Sequence, residues 1–189
     1  TKVILADSIL IIALDNYLGE EHFFYQGLER YFVKNMKPDQ ILPDVAEAFG
    51  EKYVMPPRNR TLLEQMIYHG KILYLKDLWL PEVSDAEKIG YTKEEYEWAE
   101  DNEVYMWQYF IENELLHNTD SKLPARFIHP APFSKFYLEI DNESPGRLGI
   151  YLGWKIVRAY MKNNDVSPME LMGIGGEEIY KKSKFKPKK

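Results

Sequence analysis

SPGRLGIYLGWKIVRAYM, running from Ser144 to Met161, is the stretch that decides the fold. Ser144-Pro145-Gly146 is a helix opening, and the apolar spacing carries that helix to about Lys162. Gly146, Gly149 and Gly153 form a smooth stripe, the last two one helical turn apart. A stripe without side chains lets another backbone come close. Leu152, Ile156 and Tyr160 make an apolar row beside it, while Arg147, Lys155, Arg158 and Lys162 supply basic charge. Two readings follow. One is a tightly packed core helix with a solvated basic edge. The other is a groove-lining helix whose Arg147 or Arg158 holds a carboxylate.

Upstream, Thr61 to Trp79 reads as a long helix ended by Pro81. Leu62, Met66 and Leu73, with Leu63, Ile67 and Tyr74, give it a broad apolar face. Gly70 interrupts it. A mid-helix Gly costs about 1 kcal/mol relative to Ala, so it marks a close approach. Thr92-x-x-Glu95 is a capping box opening a helix that reaches towards His117, and Ser167-x-x-Glu170 opens a short one. Gly173, Gly175 and Gly176 break the latter before a last helical turn. Pro43-Asp44 starts a helix over Val45–Val54, ended by Pro56-Pro57, and Phe23–Met36 is helical by pattern. Leu123–Phe136, with Pro124, Pro130 and Pro132, reads as extended and irregular. At the start, Val3–Ala6 and Ile9–Leu14 are two strands of a hairpin or one broken strand, with a single helix as the competing reading.

The chain holds 189 residues, with 24 Lys and Arg against 30 Asp and Glu. Residues 181–189, KKSKFKPKK, contain six Lys and no acid. The body of the chain is therefore strongly acidic, which argues against a broad nucleic-acid footprint. The basic tail reads as a solvated terminus. Residues 1–180 read as a single domain. At 45% hydrophobic and 14% aromatic the chain can bury a large core. With no Cys it offers neither disulfides nor thiolate metal sites. The longest apolar run, Ile9–Leu14, falls well short of the roughly 18–20 residues of a membrane-crossing helix.

No catalytic constellation stands out. His22, His69, His117 and His129 include no pair at the i, i+4 spacing of a helical zinc site. Glu112 and Glu114 near His117 read as a charged helix end, and Asp141 and Glu143 suit the N-terminus of the helix after them. There is no nucleophile elbow, and Gly173-Ile174-Gly175-Gly176 lacks the strand and Lys of a phosphate loop.

Several segments together carry a resemblance. They are YLGEEHFFY from Tyr17, TLLEQMIYHGKILYLKD from Thr61, FIENELLHNTD from Phe110, HPAPFSKFYLEIDNESPGRLGIYLGWKIVRAYMKNN from His129, and KSKFKPKK at the end. Over nearly the whole chain the sequence resembles the gliding-motility lipoprotein B family (GldB) of Bacteroidota. The resemblance implies a cell-envelope lipoprotein, acylated on a Cys upstream of Thr1, associated with gliding motility and with type IX secretion machinery. It also implies that this chain is the C-terminal part of a longer precursor. The family is distantly similar to predicted zincin-type proteases, which carry H-E-x-x-H on a helix. With Glu64 at the place of the general base, the ligand positions fall on Leu63 and Ile67, which cannot bind zinc, and His69 is out of register. Those proteases also carry a P-G-x-x-G-Y-x-x-G-Y-like helix further on, a pattern followed at Pro145, Gly146, Gly149, Tyr151 and Gly153.

The expectations are these. The fold is α+β and predominantly helical, a short N-terminal β element packed on a zincin-like helical domain. Gly70, Gly149 and Gly153 mark close crossings. The protein is non-catalytic, without metal or cofactor, and lines a groove for a protein or peptide partner with Glu64, Tyr68, Arg147, Tyr151 and Arg158. It touches the membrane only through its lipid anchor and binds no nucleic acid. The rival is a zinc-dependent hydrolase with an unrecognised metal site.

Overall fold

The computed structural model describes residues 2–139 and 141–188. Helices dominate, joined by one small sheet. Strands β1 (Val3–Leu5) and β2 (Leu10–Ile12) form an antiparallel hairpin, with Val3 opposite Ile12 and Leu5 opposite Leu10. The hairpin thus replaces the single-helix alternative. The reason is its two-residue Asp7-Ser8 loop, closed by Ala6 N–H donating to the Ile9 carbonyl.

Residues 14–36 depart from expectation. In place of a helix over Phe23–Met36 there are short 3-10 turns and the four-residue α1 (Arg30–Val33). Gly27, at φ +86°, turns the chain where a helix would have to continue. This irregular layer is pinned to the body by bonds distant in sequence. Asp44 accepts from Lys2 (3.1 Å) and from the Tyr17 hydroxyl (2.9 Å). Asn35 Nδ2 donates to the Gly90 carbonyl (2.8 Å), and Lys34 pairs with Glu95.

The body is built from α2 (Ile41–Tyr53), α3 (Leu62–Trp79), α4 (Asp85–Ile89), α5 (Lys93–Asp101), α6 (Glu103–Glu112), α7 (Leu123–Phe127), α8 (Leu148–Asn163), α9 (Pro168–Gly173) and α10 (Gly176–Ser183). The capping boxes at Thr92 and Ser167 form as read, and Thr61 caps α3. A third box, Ser84 with Glu87, opens α4; it carries the same S-x-x-E signal, unread in the sequence. The helix from Thr92 to His117 is two helices. Asn102, at φ −105° and ψ 9°, divides them, its side chain donating to the Trp98 carbonyl, and α6 ends at Glu112. Leu123–Phe136 is not extended throughout. Pro124 sits in the first turn of α7, where a missing N–H costs nothing.

Helices α3 and α8 cross at the centre and make the principal contact of the fold. An added Cβ on Gly70 would lie 2.5 Å from the Gly153 carbonyl carbon, and one on Gly153 would overlap the Met66 carbonyl oxygen. The two backbones touch, with no side chain between them. Leu62, Met66, Trp154, Ile156 and Tyr160 close around this contact. Gly149 lies against the Phe127 carbonyl and Gly146 against that of Ala131. The Lys-rich end keeps its described lysines exposed while its backbone and Phe185 rest on the body. Lys181 and Lys182 lie on α10, paired with Glu177 and Glu178. Beyond it, Phe185 packs edge-on to Trp107 (5.1 Å), and the Lys188 N–H donates to Glu103 (2.8 Å). The buried Glu103 and the partly exposed Glu100, which pairs with Lys188 (3.5 Å), hold the tail to the body.

Candidate functional site

A cavity of 560 Å³ lies between the N-terminal layer and the body, walled by α2, α4 and the start of α8. Its floor is charged. Lys76, only 2% exposed, donates to Glu47 (2.7 Å) and to the Lys88 carbonyl (2.9 Å). About a third of the Glu47 side chain (35%) is open, on the cavity side. Burial alone would raise its carboxyl. The positive charges of Lys76 and then Arg147 override that and hold it down at about 2. The site therefore carries a fixed, internally balanced Lys76–Glu47 pair.

Arg147 is the cation of the cavity wall that this balance leaves over. It is the N-cap of α8 and sits at φ +64°, ψ 25°, the left-handed region that an Arg adopts at a cost of about 1–2 kcal/mol. The surroundings enforce this. Gly146 is pressed against Ala131, its carbonyl accepts from the buried Tyr91 hydroxyl (2.6 Å), and the Leu148 N–H donates to Ser134 Oγ. The guanidinium donates one hydrogen bond, to the Ile89 carbonyl (3.2 Å). Guanidinium carries five N–H donors in a fork that fits a carboxylate.

The other residues expected to share a groove are dispersed. Glu64 is buried and accepts from the Gly176 N–H (2.9 Å), so it caps α10. Tyr68 shares with Glu64 a narrow cleft of 10 Å³ beside Lys71 and Ile174. Burial, then Glu51 and Glu47, push its hydroxyl up. Tyr151 is fully buried and donates to Glu103 (2.9 Å), and burial with that carboxylate pushes its phenol far up. Arg158 makes two-pronged pairs with Asp77 (2.6 and 2.7 Å) and Asp85 (2.6 and 2.8 Å), over the Trp154 ring. A common groove of Glu64, Tyr68, Arg147, Tyr151 and Arg158 is therefore not formed. The side chains leave α3 and α8 in different directions, and the glycine contact fills the space between.

The sequence reading missed Glu47, Lys76 and Lys88. One signal was present: Lys76 falls in the row of Leu62, Met66 and Leu73, where a solvated Lys does not belong. His69, on the same row, is pushed down to about 4, by burial first and then by Arg147. Leu63 and Ile67, at the places of the zinc ligands, lie in the apolar core. Among the described residues no three His, Asp or Glu stand close enough to hold a metal ion, and no helix is long and apolar enough to cross a membrane.

Comparison with known proteins gives one result. The family described as "Gliding motility protein GldB" matches residues 1–187. No curated protein and no solved structure matches the chain.

Proposed function

The chain belongs to the gliding motility protein GldB family, and from that premise we propose that it is a lipid-anchored, gliding-associated envelope protein that works by binding, not by catalysis. Its ligand is a protein or peptide partner that presents a carboxylate to Arg147. The observation that carries this reading is the Arg147 guanidinium. It is held in a strained backbone position on a 560 Å³ cavity and makes a single bond to a backbone carbonyl. Among the described cations lining this cavity, Arg147 alone combines a left-handed backbone with the lack of a carboxylate partner, and strain held at such a place is support for a binding role. Descent from a zincin-like scaffold is part of the same proposal. The sequence pattern at Pro145, Gly146, Gly149, Tyr151 and Gly153 supports it.

Arg147→Gly tests the proposal cleanly, because Gly suits φ +64°. A gliding host lacking its own copy is complemented with each variant, with a photo-crosslinking residue at Leu28, on the cavity wall. The variant is expected to match the parent in thermal stability and cellular level, and to lose colony spreading. Crosslinked adduct should fall about 30-fold, equivalent to about 2 kcal/mol for a charge-assisted pair. Arg147→Lys keeps the charge without the fork and should recover part of the adduct. Full spreading with Arg147→Gly, or stoichiometric zinc in the purified protein by elemental analysis, would overturn the reading.

A further inference from the structure

The hairpin is half a sheet. Ala13 N–H donates to the Lys2 carbonyl, and Ala6 N–H to that of Ile9. With the register between them, Ile4 and Ile11 form the intervening bonded pair. Alternation then points the N–H and C=O groups of Leu10 and Ile12 away from β1. Helix α2 packs on β1, leaving β2 as the outer strand. One face of the hairpin is apolar and open: Ile4 of β1 with Ile9 and Ile11 are 50%, 58% and 52% exposed, and Leu14 beyond β2 is exposed as well. Proteins guard such an edge with a Lys, a Pro, a bulge or a short strand, and β2 has the last of these, three residues, without the others.

Charge identifies the occupant. Asp7 and Asp15 stand exposed at the two ends of β2, and no Lys or Arg occurs between Asp7 and Glu21. We propose that the edge of β2, unpaired among the described residues, takes up an extended strand of another protein, apolar in its middle and basic at both ends. A second copy of this chain fits poorly. The antiparallel register that uses both outward residues pairs Leu10 with Ile12 of the other copy, and so sets Asp7 against Asp15. Backbone pairing supplies the affinity, and the flanking acids select the partner.

The full chain can be tested with a short alternating Val/Thr peptide carrying Lys at both ends. Fluorescence anisotropy should show saturable binding. Amide exchange at Leu10 and Ile12 should slow at least tenfold, with the Ala13 amide little changed. The same peptide ended with Glu should bind at least tenfold more weakly. Ile12→Pro removes one outward N–H and keeps the hairpin's own bonds, so binding should fall to background. Asp7→Lys with Asp15→Lys, which leaves the backbone alone, should reverse the preference towards the Glu-ended peptide. Arg147→Gly should leave peptide binding unchanged, which separates this edge from the cavity. Equal binding of both peptides, a concentration-dependent dimer abolished by Ile12→Pro, or partition of β2 into phosphatidylcholine vesicles without peptide protection would each overturn the proposal.

Discussion

Gly153 shows how much of the molecule rests on a missing side chain. A Cβ there meets the Met66 carbonyl, which belongs to helix backbone and cannot rotate aside. Gly153→Ala is therefore expected to force α3 and α8 apart and to cost about 3 kcal/mol, at the upper end for overpacking. Chemical denaturation measures it. Gly173→Ala is the control: its added Cβ would meet only Met55 Sδ at 3.7 Å, and it should be neutral or slightly stabilising. A loss of less than about 1 kcal/mol at Gly153 would mean that the helices have slack. The Gly spacing signals close approach in the sequence, because nothing else explains a Gly inside each of two strong helices. Arg147 is equally visible. Its left-handed backbone is not, since that conformation is imposed by Ala131, Tyr91 and Ser134, all far away in the chain.

At the scale of elements, charge decides how α8 is held to its neighbours. Arg158 reaches from α8 to Asp77 on α3 and Asp85 on α4, and Trp154 Nε1 also donates to Asp77. Burial alone would raise the Asp85 carboxyl, but the hydrogen bonds and charge of Arg158 bring it to about 2. Arg158→Met is expected to destabilise the protein by about 2 kcal/mol, because two partly buried carboxylates lose their two-pronged partner and keep only Lys88 as a cation. Arg158→Lys should recover less than half, since an ammonium cannot serve two carboxylates in a fork. Thermal melts at pH 7 give both values, and full recovery by Lys would show that position matters and geometry does not. Helices were readable wherever a cap and an apolar face coincide, as at Thr61, Thr92 and Ser167. They were misread where a single residue intervenes. Asn102 splits one pattern into α5 and α6, and Pro124, taken as a breaker, begins α7.

For the whole molecule, the N-terminal layer and the charged cavity beneath it set the response to acid. His69 is neutral in the fold down to about pH 4, whereas an ordinary His gains a proton near 6.5. Between those values the unfolded chain takes up a proton that the folded chain refuses, so stability falls as the pH drops through that window. Arg147, His129 and Lys76 act with burial to keep the ring neutral, against Glu47. The Glu47 carboxyl has the opposite character. Its contribution is complete above about 4.5 and fades as the pH falls towards 2. His69→Gln is expected to flatten the stability profile between pH 6.5 and 4.5 and to leave the steeper decline below it. Urea unfolding across pH reads this directly, and an unchanged slope in the upper window would remove His69 as its source. None of this was legible in the sequence. Glu47, His69 and Lys76 meet only because α2 and α3 pack, and Lys2, Tyr17 and Asn35 fasten the cover through bonds that no local pattern announces.

The glycine contact between α3 and α8 also acts as a mechanical key. Each helix has one side-chain-free window at the crossing, and the windows face each other in a single register. A slide of one helical turn, about 5.4 Å, that carried Gly70 towards Val157 would set side-chain bulk against backbone. The pair therefore resists shear in that direction, and under load the molecule would yield first at its N-terminal cover, with the α3–α8 crossing still locked.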